Sequence, residues 1–359
     1  LDPLKLYLTA EDVAKLSSDR LNIDDYVENG DIRLARKIYD VFLQRVNERI
    51  AAAHRFVDAE HDFTLDEEIV RDPEAMTWAK SGAEAEERWR KRVKYDLLLE
   101  IADDVPEDEA KEKLHKRYKS IGRRWAQIDN DELLEMFLSA ITMSFDPHSS
   151  YMSPSTLENF EIQMKLSLDG IGASLESKYG ETIVRRIVPG GAADKDGRLQ
   201  VDDVIVGVAQ GHDGEMVDIV DMKLNDVVRM IRGKPNSVVL LEVMPADGSG
   251  LKTLDITRAH IELKDSEARS TVLFCGPHGE VLDDQGNPVK KEASEQEATG
   301  TVIEQQQPGG DVFRIGVIDL PSFYMDMTAR GKGDPNYKST TRDVRRLLEN
   351  FNRQEVDVV

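Results

Sequence analysis

Along the first 155 residues, apolar positions recur at the spacing of one helical face. Leu34, Ile38, Val41, Phe42, Val46 and Ile50 mark a long amphipathic helix within 32–59. A second lies between Pro106 and Ile128, where Leu114, Tyr118, Ile121, Trp125 and Ile128 line up and the proline sits where a first turn tolerates it. A third runs over 131–144 with Leu133, Leu134, Phe137 and Ile141 inward and Asn130 or Asp129 as its cap. The pattern predicts a mostly helical domain over 1–155.

After Pro154 the texture changes to short β-branched runs separated by glycines. Strands are expected at 182–188, 203–208, 238–243 and 251–257. One helix interrupts them at 222–231, with Leu224, Val227, Val228 and Ile231 inward, and Gly233 followed by Pro235 ends it. Strands enclosing one or two helices over 156–260 describe a small, partly open β-barrel.

A third texture fills 261–359. A strand is expected at 271–274, then a polar stretch over 275–310 that carries the turn signal Asp283-Asp284-Gln285-Gly286-Asn287-Pro288 and reads as an inserted hairpin or mobile loop. An apolar strand at 313–320 and a helix starting at Thr340 or Thr341, with Val344, Leu347, Leu348 and Phe351 on one face, lead to Val356-Asp357-Val358-Val359. Those valines read as a buried strand cut in its middle, so strand, helix and strand begin a layered α/β domain. The fold class is multidomain α+β.

Composition adds exclusions. With 40% hydrophobic and 32% charged residues the balance is that of a folded chain, and no run approaches the roughly 20 apolar residues of a membrane span. The 69 acidic and 47 basic residues give a formal charge of -22, which repels phosphate backbones and makes nucleic acid an unfavoured partner. Cys275 is the lone cysteine; it permits no intrachain disulfide and leaves the compartment open. No G-x-S-x-G, H-E-x-x-H or cysteine pair occurs, so neither a metal nor an organic cofactor is expected. The chain starts at Leu1 without the features of a signal peptide, and it reads as incomplete at both ends.

The most informative constellation is Leu168-Asp169-Gly170-Ile171-Gly172-Ala173-Ser174-Leu175, followed by Pro189-Gly190-Gly191-Ala192-Ala193 and Asp202-Asp203-Val204-Ile205. In order and spacing these segments resemble PDZ domains. That resemblance implies that Gly170, Ile171, Gly172 and Ala173 form a carboxylate-binding loop whose glycines let successive N–H groups converge on a peptide's terminus. The peptide would add as a strand to the sheet edge after the loop, and the helix at 222–231 would wall the other side. Ile171 and part of the face formed by Leu224, Val227, Val228 and Ile231 would receive the last side chain. Apolar residues at helical spacing are more often core than pocket, so only one or two of that face are expected to touch a peptide.

Phe145-Asp146-Pro147-His148-Ser149-Ser150-Tyr151-Met152-Ser153-Pro154 is similar to the segment that precedes the PDZ domain in C-terminal processing peptidases. His148 beside Ser149 and Ser150 invites a catalytic reading, but neighbours in one turn seldom reach each other with a third group to orient the base. Asp146 and His148 are therefore expected to hold a turn and Tyr151 to pack between domains. Tyr118-Lys119-Ser120-Ile121-Gly122-Arg123-Arg124 and Leu320-Pro321-Ser322-Phe323-Tyr324 resemble the tail-specific branch of that family. The resemblance implies a periplasmic or otherwise exported serine endopeptidase that recognises nonpolar C-terminal tails of unfolded or tagged proteins. Its serine would be deprotonated by a neutral, buried lysine. Both groups would lie beyond Val359, so no catalytic residue is expected here and this chain should be inactive. A membrane-peripheral position and an adaptor partner are compatible with the family, and the stretch at 275–310 departs from its pattern. The alternative is a non-catalytic PDZ adaptor that binds peptide C-termini.

Overall fold

The computed structural model describes residues 1–275, 281–282 and 313–359. The first body is helical: α1 (Ala10–Leu16), α2 (Ile23–Glu28), α3 (Arg33–Val57), α4 (Gly82–Ala102), α5 (Glu107–Ala126) and α6 (Asn130–Phe145). Side chains that satisfy the orphan N–H groups of a first turn fix where these helices start. Thr9 and Asp12 form a capping box on α1, Ser81 caps α4, and Asp129 with Glu132 forms a second box on α6. Helices α3, α4 and α5 pack together around Phe42, Val46, Trp89, Val93, Leu97, Leu114 and Tyr118, all buried. The two polar tips in this core are satisfied, since Trp89 Nε1 donates to the Leu6 carbonyl at 2.8 Å and Tyr118 Oη to Asp96 at 2.8 Å.

Helix α7 (Pro154–Lys165) leads into the second body, capped by the buried Ser153 with proline in its first turn. There β1 (Ser167–Gly170) pairs antiparallel with β8 (Ala259–Glu262). A larger antiparallel sheet runs in the order β2 (Ala173–Lys178), β3 (Glu181–Ile187), β4 (Val204–Gln210), β6 (Val238–Met244) and β7 (Lys252–Thr257), with β5 (Val217–Asp218) on β4. Strand β6 buries Val239, Leu241 and Val243 alternately, the period of a sheet with one face in the core. Two helices close the barrel, α8 (Ala192–Asp196) and α9 (Leu224–Ile231).

In the third body β9 (Arg269–Cys275) is flanked by β10 (Val281–Leu282) and β11 (Phe313–Asp319), both antiparallel to it. Of the polar stretch 275–310, only its first residue and β10 lie within the described residues, where β10 pairs antiparallel with the end of β9; the rest of that expectation lies outside them. After α10 (Met327–Gly331), α11 (Thr340–Arg353) starts at the cap Ser339 and lays Leu347 and Phe351 inward. Tyr324 joins this body together: its hydroxyl donates to Asp343 at 2.6 Å and accepts from the Ala268 N–H at 3.1 Å. The final residues bridge β11 in parallel, Ile315 opposite Val358, with Gly316 N donating to the Val358 carbonyl at 2.7 Å. Against the expected burial, Val358 and Val359 are 55% and 63% exposed, while Val356 is half-buried. A single bridge on one edge supplies backbone partners but no layer to cover side chains.

Candidate functional site

Strand β1 ends at Gly170 and β2 begins at Ala173, so Ile171 and Gly172 form the whole connection. Gly172 has φ +78 and packs so closely that an added Cβ would meet Gly191 Cα at 3.3 Å, which restricts this position to glycine. The loop's carbonyls are taken. Ala193 N donates to the Ile171 oxygen at 2.7 Å and Val188 N to the Gly172 oxygen at 2.8 Å. The N–H groups of Ile171 and Gly172 donate to no acceptor among the described residues. Two successive backbone donors without acceptors among the described residues are the kind of pair that can converge on an anion.

Beyond this loop β2 pairs, among the described residues, with β3 alone, so its other edge is open there, and α9 packs beside it. A groove with one wall of backbone hydrogen-bonding groups and one helical wall results. The sequence-expected residues divide here. Gly170, Ile171, Gly172 and Ala173 lie together at the head of β2, but the Ile171 side chain is 2% exposed and belongs to the core. On α9, Val227 and Ile231 are likewise core residues, at 0% and 4% exposure, whereas Leu224 and Val228 are half-buried and leave apolar surface accessible.

Both ends of α9 are anchored by residues that periodicity alone does not single out. At its C-terminal end Arg258, 2% exposed, places all five N–H groups: Nε on the Ile231 carbonyl, Nη1 on Ser237 Oγ and the Val238 carbonyl, Nη2 on Gln210 Oε1 and the Met230 carbonyl. No carboxylate pairs with it among the described residues, and burial pulls its pKa below the ordinary arginine value. The free carbonyls and partial negative charge of a helix C-terminus stand in for a counterion. The only hint in the sequence is an arginine between two β-branched or apolar strands.

At the N-terminal end of α9, Lys223 Nζ donates to Asp129 at 2.8 Å and reaches Glu132 at 2.6 Å. Against the cost of burial these two carboxylates raise the Lys223 pKa. Asp221 has φ +66; its carboxylate pairs with Arg123, its carbonyl accepts from Gln127 Nε2 at 2.6 Å, and its N–H donates to the Gly180 carbonyl at 2.8 Å.

The segment at 145–154 is a turn. Asp146 accepts from the His148 N–H at 3.1 Å and from Ser149 Oγ at 2.6 Å, and these donors lower its pKa. The His148 ring makes no hydrogen bond among the described residues, while Tyr151 is tied to Ser139 of α6 through its backbone. Among the described residues no serine hydroxyl is hydrogen-bonded to a lysine or histidine side chain, and no cluster of three or more His, Cys, Asp or Glu could hold a metal ion.

Comparison with known proteins agrees with this layout. Residues 1–155 match the family described as the tail specific protease N-terminal domain, and residues 160–244 match the PDZ domain. The tail-specific protease of Haemophilus influenzae is 34% identical over 249 residues, covering 69% of this chain and 36% of that protein. The carboxy-terminal processing protease CtpA of Bacillus subtilis is 27% identical over 204 residues, covering 49% of this chain and 42% of that one. Among solved structures, the PDZ domain of a carboxy-terminal protease from Vibrio cholerae, in complex with a peptide, shows 39% identity and a TM-score of 0.26, covering 27% of this chain and 100% of that chain. The chain thus spans well under half the length of the two curated relatives. On these matches it belongs to the tail-specific, or C-terminal processing, protease family, and carries that family's N-terminal domain followed by a PDZ domain.

Proposed function

We propose that the groove between β2 and α9 captures free C-terminal tails with apolar last residues, for a serine-type endopeptidase of which this chain is the tail-recognition part. The observation that carries the reading is the pair of N–H groups at Ile171 and Gly172, without acceptors among the described residues, at the head of an open strand edge. A terminal carboxylate docked there takes charge-assisted hydrogen bonds, the residues before it continue as a strand on β2, and Leu224 with Val228 supplies apolar contact for the tail. Family membership supports hydrolysis by a serine activated by a lysine. Among the described residues no serine hydroxyl is hydrogen-bonded to a lysine or histidine side chain, and that chemistry is assigned to the whole protein and not to the described residues.

The test is a titration of the 359-residue chain with a labelled peptide ending in apolar residues, as the free acid and as the amide. Losing the charge removes ~1.5–3 kcal/mol, so the amide should bind at least about tenfold more weakly. Val228→Glu should weaken the free acid too, with a thermal melt to establish that the variant is folded. Equal binding of acid and amide, or no binding by the folded chain, overturns the reading. An unfolded protein with such a tail should remain intact in the presence of this chain, and cleavage abolished by Ser149→Ala or Ser150→Ala would reassign the 145–154 turn.

A further inference from the structure

We infer that the helical domain holds the helical wall of the groove in place: Arg123, Gln127, Asp129 and Glu132, acting through Asp221 and Lys223, fix the start of α9 and thereby set how well the groove receives a tail. The inference rests on the groove reading above and concerns residues outside the groove. Helix α9 has eight residues, and its C-terminal end is secured within its own domain by Arg258. The side-chain anchors at its other end come from α5, from the Gln127 that follows it, and from the capping box of α6.

Asp221 is the junction of this bracket. It lies two residues before the cap residue Lys223, and its left-handed backbone is uncommon for a residue with a side chain, so the surrounding contacts must hold it there. One of them, the Asp221 N–H on the Gly180 carbonyl, reaches the turn that joins β2 to β3. Gly180, at φ +92, leaves no room for a Cβ beside the Asp221 carboxylate and the Arg123 guanidinium. A single residue therefore links the helical domain to both walls, the turn of the edge strand and the start of the helix opposite. Any chain lying between those walls experiences the separation that the bracket fixes. The Lys223 and Arg123 side chains are 20% and 24% exposed while Asp129 and Asp221 are 53% and 44% exposed, so each pair is shielded from water on its basic side, and Glu132, at 24%, adds a second shielded partner for Lys223.

These are positioning residues, and the test asks for a change in tail binding without loss of fold. In the full 359-residue chain, Arg123→Gln combined with Lys223→Gln should weaken binding of the free-acid peptide about tenfold, as two partly shielded ion pairs allow. Amide exchange across α9 should rise, while the melting transition of the chain stays in place. Arg123→Lys with Lys223→Arg, which keeps both charges, should restore most of the affinity and the protection. If the unaltered chain binds no tail peptide, the groove reading falls and this inference with it. If the unaltered chain binds but the folded double variant matches it in affinity or in α9 exchange, the bracket alone is refuted.

Discussion

Gly316 on β11 lies under the Phe351 ring of α11 so closely that a methyl group there would meet Cδ2 and Cε2 at 2.7 Å. Phe351 is 3% exposed and has little space to retreat. Gly316→Ala should therefore destabilise the third body by ~1–3 kcal/mol, the usual range for overpacking. Chemical denaturation followed by a probe near α11 checks this. Phe351→Leu in the same background should recover part of the loss, and an unshifted Gly316→Ala transition would contradict the packing described.

Asp12 couples α1 to α3. Its carboxylate accepts from Arg45 Nε at 2.9 Å and Nη2 at 2.8 Å as well as from Thr9. Against the cost of burial, these donors hold its pKa at about 2, below the ordinary 3.8. A carboxyl whose folded pKa is depressed contributes stability above its unfolded value, and the contribution drains away as pH falls from about 4 to about 2. Asp12→Asn should cost ~2 kcal/mol at pH 7, and its melting curve should converge with that of the unaltered chain at the acid end of this window.

His54 on α3 stacks on His115 of α5 with Nδ1 atoms 2.6 Å apart, and His115 Nε2 is 2.9 Å from Asp58. Burial, then the neighbouring imidazole, lowers the His54 pKa from 6.5. The folded chain then binds fewer protons than the unfolded one just below pH 6.5, so its stability should fall as pH drops through that range. Melts at pH 7.5 and 5.5 should show the decline, and His54→Phe, which retains a ring but no titration, should flatten it. A pH response unchanged by that substitution would assign the decline elsewhere.

Arg258→Met should remove hydrogen bonds from the Met230, Ile231 and Val238 carbonyls at once. Leaving such groups buried and unpaired costs on the order of 3 kcal/mol. Arg258→Lys should recover only a fraction, since one ammonium cannot reproduce the planar fork. Equal stability of the arginine and lysine forms would show that charge alone, and not this hydrogen-bond geometry, anchors α9.

Much of the architecture is legible from periodicity. The stripes through Phe42 and Val46, Leu114 and Tyr118, and Val227 and Ile231 all bury as their spacing requires. Helix α4 is harder to read, because its buried line of Ala85, Trp89, Val93 and Leu97 is joined by the buried Lys94 and Glu100, while Leu98 and Leu99 are 43% and 46% exposed. Strand β2 escapes the alternation signal for a related reason. As an edge it shows Ser174, Glu176, Ser177 and Lys178 to solvent, so little about it is apolar. The glycine pattern locates the two-residue loop between β1 and β2, but spacing cannot separate buried from accessible positions on α9, where two of four aligned residues are sealed. The link between Arg123 and Asp221 spans 98 positions and obeys no period; it depends on how two domains meet.

An open sheet edge ordinarily invites another sheet to stack alongside and propagate. Here α9 packs beside β2, on the side where a second strand would have to stand about 4.8 Å beyond a first. A tail bound as proposed would therefore lie there as a solitary extended thread, without strand partners of its own. On the proposed reading, the helix beside that edge selects loose chain ends over folded β-structure and would oppose pairing of two copies through β2.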